Sequence, residues 1–127
     1  MIISLCRKTF IKVFKNLAKE MNVDISNVQL GICYNGKTTY EAYNNLKKVK
    51  DIELDDYVGG IIDFSGGTEV IKSTISQACI TYSKELKCRR EDINIIMQYN
   101  NDKLPNAVLL CENKKVRKID IEVEFLN

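Results

Sequence analysis

Two short stretches combine glycine with lysine, serine or threonine at a spacing suited to phosphate binding. The first, residues 31–38 (GICYNGKT), fits the pattern G-x-x-x-x-G-K-[ST] of a P-loop. In that interpretation Lys37 reaches the terminal phosphates and Thr38 binds magnesium. Asp63, at the end of a later apolar run, could add a carboxylate beside the metal. The pattern then predicts a nucleotide hydrolase.

The same stretch also carries the signature of a hairpin. Asn35-Gly36 is the strongest short-range signal for a tight turn between two strands. The bulky residues 32–34 continue an alternation of apolar and other side chains that begins at Val28. A loop that wraps phosphate closely requires small residues there, so the stretch favours a strand end and a turn.

The second stretch, residues 61–74 (IIDFSGGTEVIKST), leads from an apolar run through glycines directly into a helical pattern. Gly66 and Gly67 let a backbone approach a ligand closely, and the free N–H groups of a helix N-terminus favour an anion. Ser65 or Thr68 could donate a hydroxyl or cap the helix. The alternative is a structural turn, because every junction from strand to helix needs one.

Residues 63–69 (DFSGGTE) resemble the central motif of CRISPR-associated Rossmann fold (CARF) domains. The resemblance implies a Rossmann-like domain that is usually dimeric and binds cyclic oligoadenylate second messengers across the dimer interface. Some members of the family slowly cleave the ring. The residues that would contact ligand phosphate or ribose are Ser65, Gly66, Gly67 and Thr68.

This sequence departs from the family pattern at one position of that motif. Glu69 stands where the family usually has lysine, and its carboxylate would repel phosphate. Lys72, one helical turn further on, is the candidate substitute. The resemblance places this chain among cytoplasmic sensors of antiviral defence and predicts a homo-oligomer with a nucleotide or cyclic oligonucleotide as ligand.

Catalytic sets of residues are scarce. The chain has no histidine, which excludes Ser-His-Asp and Cys-His catalysis. Its five cysteines include no C-x-x-C pair, which argues against structural zinc and a disulfide framework. Cys111 and Arg117 have the C-x5-R spacing of a cysteine phosphatase, but the loop between them lacks glycine. We therefore expect neither cofactor nor metal, and favour a binding protein over an enzyme.

Composition indicates one ordinary domain, residues 1–127. The chain is 45% hydrophobic and 28% charged, with a net charge of +2, so no strong overall field attracts polyanions. No apolar run approaches the roughly 18 residues that span a bilayer, so we expect no membrane association. Scattered thiols fit the reducing cytoplasm.

The pattern of elements predicts an α/β or α+β fold. Helical periodicity marks residues 7–22, 39–50 and 69–87, although 39–50 could instead start as a hairpin strand. Strand patterns mark 27–34 and 57–64, followed by three strands at the C-terminus, 93–99, 107–111 and 116–126. A loop that holds Pro105 is expected over residues 100–106. We expect a Rossmann-like sandwich of two or three layers, whose mixed sheet ends in antiparallel C-terminal strands. The sequence shows no internal repeat.

Two classes of function are favoured, and a P-loop hydrolase that uses Lys37, Thr38 and Asp63 is the third. One is a nucleotide-type anion-binding module centred on Ser65 to Thr68, to which Lys37 and Thr38 could contribute. The other is a small non-enzymatic protein of a mobile element, such as an accessory, immunity or host-targeting protein, that acts through contacts with a protein partner. The small size and the exposed character of the last strand favour that second class.

Overall fold

The computed structural model describes residues 2–5, 7–34, 36–53, 55–58, 68–101, 103–111, 114–118 and 122–125. Helices and strands share the chain. The helices are α1 (Arg7–Met21), α2 (Asp55–Val58) and α3 (Thr68–Leu86), with 3₁₀ turns η1 (Ile25–Asn27) and η2 (Arg90–Asp92). The strands are β1 (Ile2–Leu5), β2 (Val28–Tyr34), β3 (Thr38–Asn44), β4 (Lys47–Ile52), β5 (Ile93–Asn100), β6 (Lys103–Cys111), β7 (Lys114–Lys118) and β8 (Glu122–Phe125).

Six of these strands form one sheet in the order β4-β3-β2-β5-β6-β7. Every described pairing in it is antiparallel, because β2, β3 and β4 follow one another through hairpins, as do β5, β6 and β7. The antiparallel arrangement predicted for the C-terminal strands is therefore confirmed for β6 and β7 but not for β8, and the described pairings of this sheet do not form the predicted mixed sheet. Among the described residues one pairing is parallel, that of β1 with β8, and it forms a separate small sheet. The class is α+β.

The predicted helix over residues 39–50 is wrong. The segment forms β3 and β4, joined by a turn in which Asn45 and Leu46 both have positive φ, 51° and 66°. Tyr40 and Tyr43 are spaced as on one helical face, but they lie on opposite faces of the strand and both are shielded from solvent. Because residues on both faces of β3 are shielded, its apolar residues have a spacing that resembles that of a helix.

Three other boundaries also differ from the prediction. Tyr57, expected in a strand, lies in α2, and residues 59–67 are outside the described part of the chain. Pro105, expected in a loop, lies within β6 where the register with β5 shifts, a place where a strand tolerates a missing donor. The predicted last strand is divided between β7 and β8.

The core lies between α1, α3 and one face of the large sheet. Its largest buried side chains on α1 are Phe10, Phe14 and Leu17, none more than 1% exposed. The sheet contributes alternate residues of β2 and β5, and α3 adds Ala78 and Cys79. Full burial of side chains of this size, worth roughly 1.5–3 kcal/mol each, holds the helices on the sheet.

The structure contains an internal repeat that the sequence did not reveal. The series α1-η1-β2-β3-β4 recurs as α3-η2-β5-β6-β7. We call residues 7–52 the first half and residues 68–118 the second half. Both halves place a helix, a 3₁₀ turn and three antiparallel strands in the same order, and each hairpin pair lies on its own side of the sheet.

The ends of the two long helices are alike in detail. Asn22 and Lys87 follow α1 and α3, and each has φ of 55°. The next residue donates its N–H five residues back, Val23 to Ala18 at 3.1 Å and Cys88 to Ser83 at 3.0 Å. This is the Schellman arrangement, which satisfies carbonyls at a helix end through one left-handed residue.

Strand irregularities recur as well. The register of β3 with β4 shifts between Ala42 and Tyr43, and that of β6 with β7 shifts between Leu109 and Leu110. Because Asn44 and Cys111 pair with the first residues of β2 and β5, the two bulges occupy equivalent positions. Bulges bend a strand locally, so both outer strands are bent at the same place.

A pseudo-two-fold axis relates the halves. It passes between Gly31 and Ile96, which face each other where β2 and β5 meet in antiparallel register. On either side, Leu30 pairs with Met97 and Ile32 pairs with Ile95. These partners exchange when one half is placed on the other, as two-fold symmetry requires.

Candidate functional site

The loop that the sequence singles out is only partly described. Ser65, Gly66, Gly67 and Asp63 lie outside the described residues, so their predicted contacts remain predictions. Thr68 is the first residue of α3, so the helix begins one residue before the predicted start. Lys72 lies in the second turn of the same helix. The structure therefore leaves the proposed anion site untested.

The other predicted stretch is a hairpin. Tyr34 pairs with Thr38 at the end of β2 and β3, and Gly36 between them has φ of 78°. Thr38 begins a strand rather than the helix that a P-loop needs, so the turn interpretation of residues 31–38 is confirmed. Lys37 is exposed in that turn.

Lys37 instead lies at one of two cavities beside the sheet's edge. That cavity, about 530 Å³ in volume, is also lined by Thr39 and Tyr40. A second cavity of about 520 Å³ is lined by Asn16, Glu20, Lys50, Asp56 and Tyr57. Both share Asp51, Ile52 and Glu53 at the end of β4. We call the surface formed by the two cavities the β4 groove.

A hydrogen-bonded cluster closes the helix side of the β4 groove. Lys50 Nζ on β4 donates to Glu20 Oε1 on α1 at 2.5 Å, and Tyr57 Oη donates to Glu20 Oε2. The Lys50 ammonium also lies 5.8 Å from the centre of the Tyr57 ring, within cation–π range. Asn16 Nδ2 donates to the Tyr57 carbonyl at 2.6 Å. Glu20 thus connects α1, β4 and α2.

The hydrogen bonds shift the pKa values of the groups in this cluster. Donation from Lys50, and then from Tyr57, holds the pKa of Glu20 below its ordinary value. The hydrogen bond with Glu20 raises the pKa of Lys50. Desolvation, followed by the neighbouring Glu20, raises the pKa of Tyr57. At neutral pH the carboxylate is therefore charged, the ammonium is charged and the phenol is protonated.

The sheet's other face carries a comparable pairing on β3 and β4. Lys48 Nζ lies 2.7 Å from Glu41 and 2.9 Å from Asp51. These partners, Glu41 first, raise the pKa of Lys48. Asp51 is therefore paired with Lys48, just as Lys50 is paired with Glu20. The remaining carboxylates of the β4 groove, Glu53 and Asp56, are solvent-exposed.

The β4 groove is consequently acidic. Four carboxylates line it, from Glu20, Asp51, Glu53 and Asp56, against the ammonium groups of Lys37 and Lys50. Glu20 already holds Lys50, and within the described ranges neither Glu53 nor Asp56 forms an ion pair, so the negative charge without a described partner lies towards those two carboxylates. A cationic ligand would be attracted to these carboxylates. The attraction would become stronger if the ligand excluded water, because the local dielectric constant would fall.

The groove adjoins an open sheet edge. Among the described residues β4 pairs only with β3, so its other side presents backbone N–H and C=O groups. Val49, at the bulge of β4, is the one large hydrophobic side chain exposed in the described part of the chain, with 49% of its surface accessible. An edge, an acidic groove and an apolar side chain therefore coincide.

Sequence reasoning missed most of this site. Of the described residues that were predicted to bind a ligand, only Lys37 lines the β4 groove. The available signal was the acidic run DIELDD, residues 51–56, which reads as a simple connector. The groove also draws Glu20 from α1, and nothing local in the sequence connects these two segments.

Other classes of site are not supported by the described residues. No group of three or more Cys, Asp or Glu side chains gathers there to hold a metal ion. Nor is any helix in those ranges long and apolar enough to cross a membrane. No protein-family model, no curated protein and no solved structure matches this chain.

Proposed function

We propose that this protein is a non-enzymatic interaction module that receives a basic, extended segment of a partner protein at the β4 groove. The observation that carries the proposal is that the edge of β4, which has no second partner strand among the described residues, adjoins the carboxylates of Glu53 and Asp56, which form no ion pair with another described residue. An extended segment can add to a sheet edge through main-chain hydrogen bonds, while flanking side chains supply specificity.

The lysines of β4 explain how the edge could admit a partner without attracting another copy of itself. Lys48 and Lys50 are held by carboxylates of the same molecule. Lys47 remains exposed, and a lysine on an edge opposes pairing with an equally basic edge. A partner with basic side chains reaching past the edge would meet Glu53 and Asp56 instead.

The proposal is tested with a short peptide of alternating lysine and valine and a matched peptide in which glutamate replaces lysine. We expect the lysine peptide to shift the amide resonances of β4 and of Glu53, with affinity that falls as salt rises. The glutamate peptide should not bind. Equal binding of both peptides, or shifts confined to β7, would refute the proposal.

Charge reversal supplies the matched control. Glu53→Lys should weaken binding of the lysine peptide at least several-fold, because Glu53 lines both cavities. Glu91→Lys makes the same change of charge on η2, away from β4, and should leave the affinity almost unchanged. If both variants lose binding equally, only the net charge of the molecule matters.

A second candidate is the nucleotide-type anion-binding module expected at Ser65 to Thr68, possible ligands being cyclic oligonucleotides. It is favoured by the start of α3 at Thr68, directly after the glycine pair, with 19 residues of continuous helix behind it. The antiparallel large sheet gives the Rossmann-like arrangement of the resemblance no support, so this candidate depends on the loop alone. Thermal-shift measurements with cyclic oligoadenylates and mononucleotides test it. A shift abolished by Gly67→Val would support it, and no shift with any of them would refute it.

A further inference from the structure

A pair of thiols lies in the second half, away from the β4 groove. Cys111 Sγ is 3.4 Å from Cys88 Sγ, although the two residues are 23 positions apart. Both side chains are half-buried, so reagents in solvent can reach them, whereas Cys33 and Cys79 are buried. Neither Cys88 nor Cys111 is in a disulfide.

Backbone hydrogen bonds hold both cysteines in place. Cys88 occupies the turn that ends α3, where its N–H donates to Ser83 O at 3.0 Å. Cys111 is the last residue of β6 and is paired with Ile93 on one side and Lys114 on the other. The sulfurs need to approach by only about 1.4 Å to reach the length of a disulfide bond, a distance that side-chain rotation can supply.

The first half shows that the fold does not require thiols at these positions. Val23 follows the end of α1 as Cys88 follows α3, and Asn44 ends β3 as Cys111 ends β6. Two equivalent positions in the same backbone arrangement therefore carry an aliphatic and an amide side chain. At these two equivalent positions, thiols occur in the second half alone.

We infer that Cys88 and Cys111 are a reversible redox site that forms an intramolecular disulfide when the protein meets a low-molecular-weight disulfide. One protein thiolate attacks a sulfur of oxidised glutathione, forms a mixed disulfide and releases one glutathione thiolate. The second protein thiolate attacks the protein sulfur of that mixed disulfide and expels the other glutathione. Two protein thiols lose two electrons and two protons, and one glutathione disulfide is reduced to two thiols.

The bond would join the end of α3 to β6 and so staple only the second half. It would close a loop that contains η2 and β5. A cross-link over a loop of this size restricts the unfolded chain, and we expect the unfolding midpoint to rise on the order of 10 °C. Reduction by excess thiol reverses the change.

The test equilibrates the reduced protein with oxidised glutathione and maps the products by mass spectrometry without reduction. We expect a product two hydrogens lighter than the reduced protein, with no retained glutathione and with Cys88 linked to Cys111. Cys88→Ser should stop at the mixed disulfide, and Cys33→Ser should still form the bond. Retained glutathione in the wild type, or linkage of any other pair, would overturn the inference.

The first half provides a second, independent measurement. In a Cys88→Ser background, the double change Val23→Cys and Asn44→Cys places thiols at the equivalent positions. If the shared backbone geometry makes the site, this variant should also form an intramolecular bond, linking residues 23 and 44. Failure of that variant to close would show that the shared arrangement does not bring two such side chains together, and would overturn the geometric basis of the inference.

Discussion

The two halves of the molecule repeat one backbone plan with different side chains. Both end their long helix with a left-handed residue, continue through a 3₁₀ turn and bend their outer strand at an equivalent bulge. The first half, however, fills its helix face with phenylalanine, caps its 3₁₀ turn with a carboxylate and carries the β4 groove. The second half carries the thiol pair. The difference shows that this fold depends on where the backbone turns and not on one set of side chains.

The clearest contrast lies in the helix faces, and it gives the largest expected effect. Phe14 on α1 is fully buried against Phe10, with ring centroids 4.6 Å apart, and Cys79 is the buried equivalent on α3. Phe14→Ala should lower the free energy of unfolding by about 3–5 kcal/mol. Cys79→Ala removes far less buried volume and should cost on the order of 1 kcal/mol. Urea denaturation of both variants measures the contrast, and equal losses would mean that the helices contribute alike.

The next largest loss of stability is expected at the pseudo-two-fold axis, where the two equivalent positions carry different residues, Gly31 and Ile96. A Cβ on Gly31 would lie 2.4 Å from Tyr43 Cε1 and 3.1 Å from Ile96 Cδ1. Gly31→Ala should therefore destabilise by about 1–3 kcal/mol through overpacking. Ile96→Val, which only removes volume, should cost about 0.5–1.5 kcal/mol.

Tyr43→Leu tests the cause of that loss. If the tyrosine ring is what excludes a Cβ at Gly31, the alanine substitution should cost much less in a Tyr43→Leu background. Residues in contact give such non-additive double-mutant cycles. Additive losses would show that the tyrosine is not the obstacle.

The cluster at the β4 groove gives a smaller effect that depends on pH. The pKa of Glu20 is lowered in the folded protein, first by the hydrogen bond from Lys50. Its stabilisation is therefore present above the unfolded value near 4.3 and disappears as pH falls through the folded value. Wild type should exceed Glu20→Gln in unfolding midpoint at neutral pH, and the difference should vanish in strong acid.

Titration of the Glu20 carboxyl by NMR examines the same cluster directly. Lys50→Met should raise the pKa of Glu20, because it removes the donor with the largest influence. Lys47→Met alters another lysine of the same strand and should leave the titration unchanged. A shift of similar size in both variants would point to general charge and not to this hydrogen bond.

The caps of the 3₁₀ turns give the smallest expected effect. Asp24 accepts hydrogen bonds from the Ser26 N–H at 2.9 Å and from its hydroxyl at 2.6 Å. Arg89, its equivalent, makes no side-chain cap and pairs with Asp92 at 3.0 Å on the surface. Asp24→Ala should lower the unfolding midpoint measurably but less than the core variants, and Arg89→Ala should lower it less still. The reverse order would show that the cap is not what holds the turn.

Local pattern predicts individual elements of this fold well. The helix expected over residues 7–22 forms over Arg7–Met21, and the strands expected around Val28 and Ile93 form there. These segments bury one regular face, which gives a clear period. The prediction for residues 39–50 was wrong because Tyr40 and Tyr43 are shielded on opposite faces of one strand. The apolar residues there do not show the two-residue period of a strand with one buried face.

Candidate sites were predicted less well, for a physical reason. A motif such as that of residues 31–38 describes only residues that are close in sequence. In the structure, these residues form a hairpin. The β4 groove needs Glu20, Lys50 and Tyr57 to meet from three elements. The thiol pair needs a helix end and a strand end to meet. No local sequence pattern predicts such contacts between distant segments.

The sequence by itself indicated most of the helical and extended segments, residues 39–50 being the main exception, because those preferences arise from side-chain spacing and turn residues along the chain. It also excluded histidine-based catalysis, since that chemistry requires a residue the chain lacks. Only the tertiary structure decided the antiparallel order of the sheet, the repeat about Gly31 and Ile96, and the groups that line the β4 groove. Those features depend on which distant segments become neighbours, and that is settled by packing across the whole core.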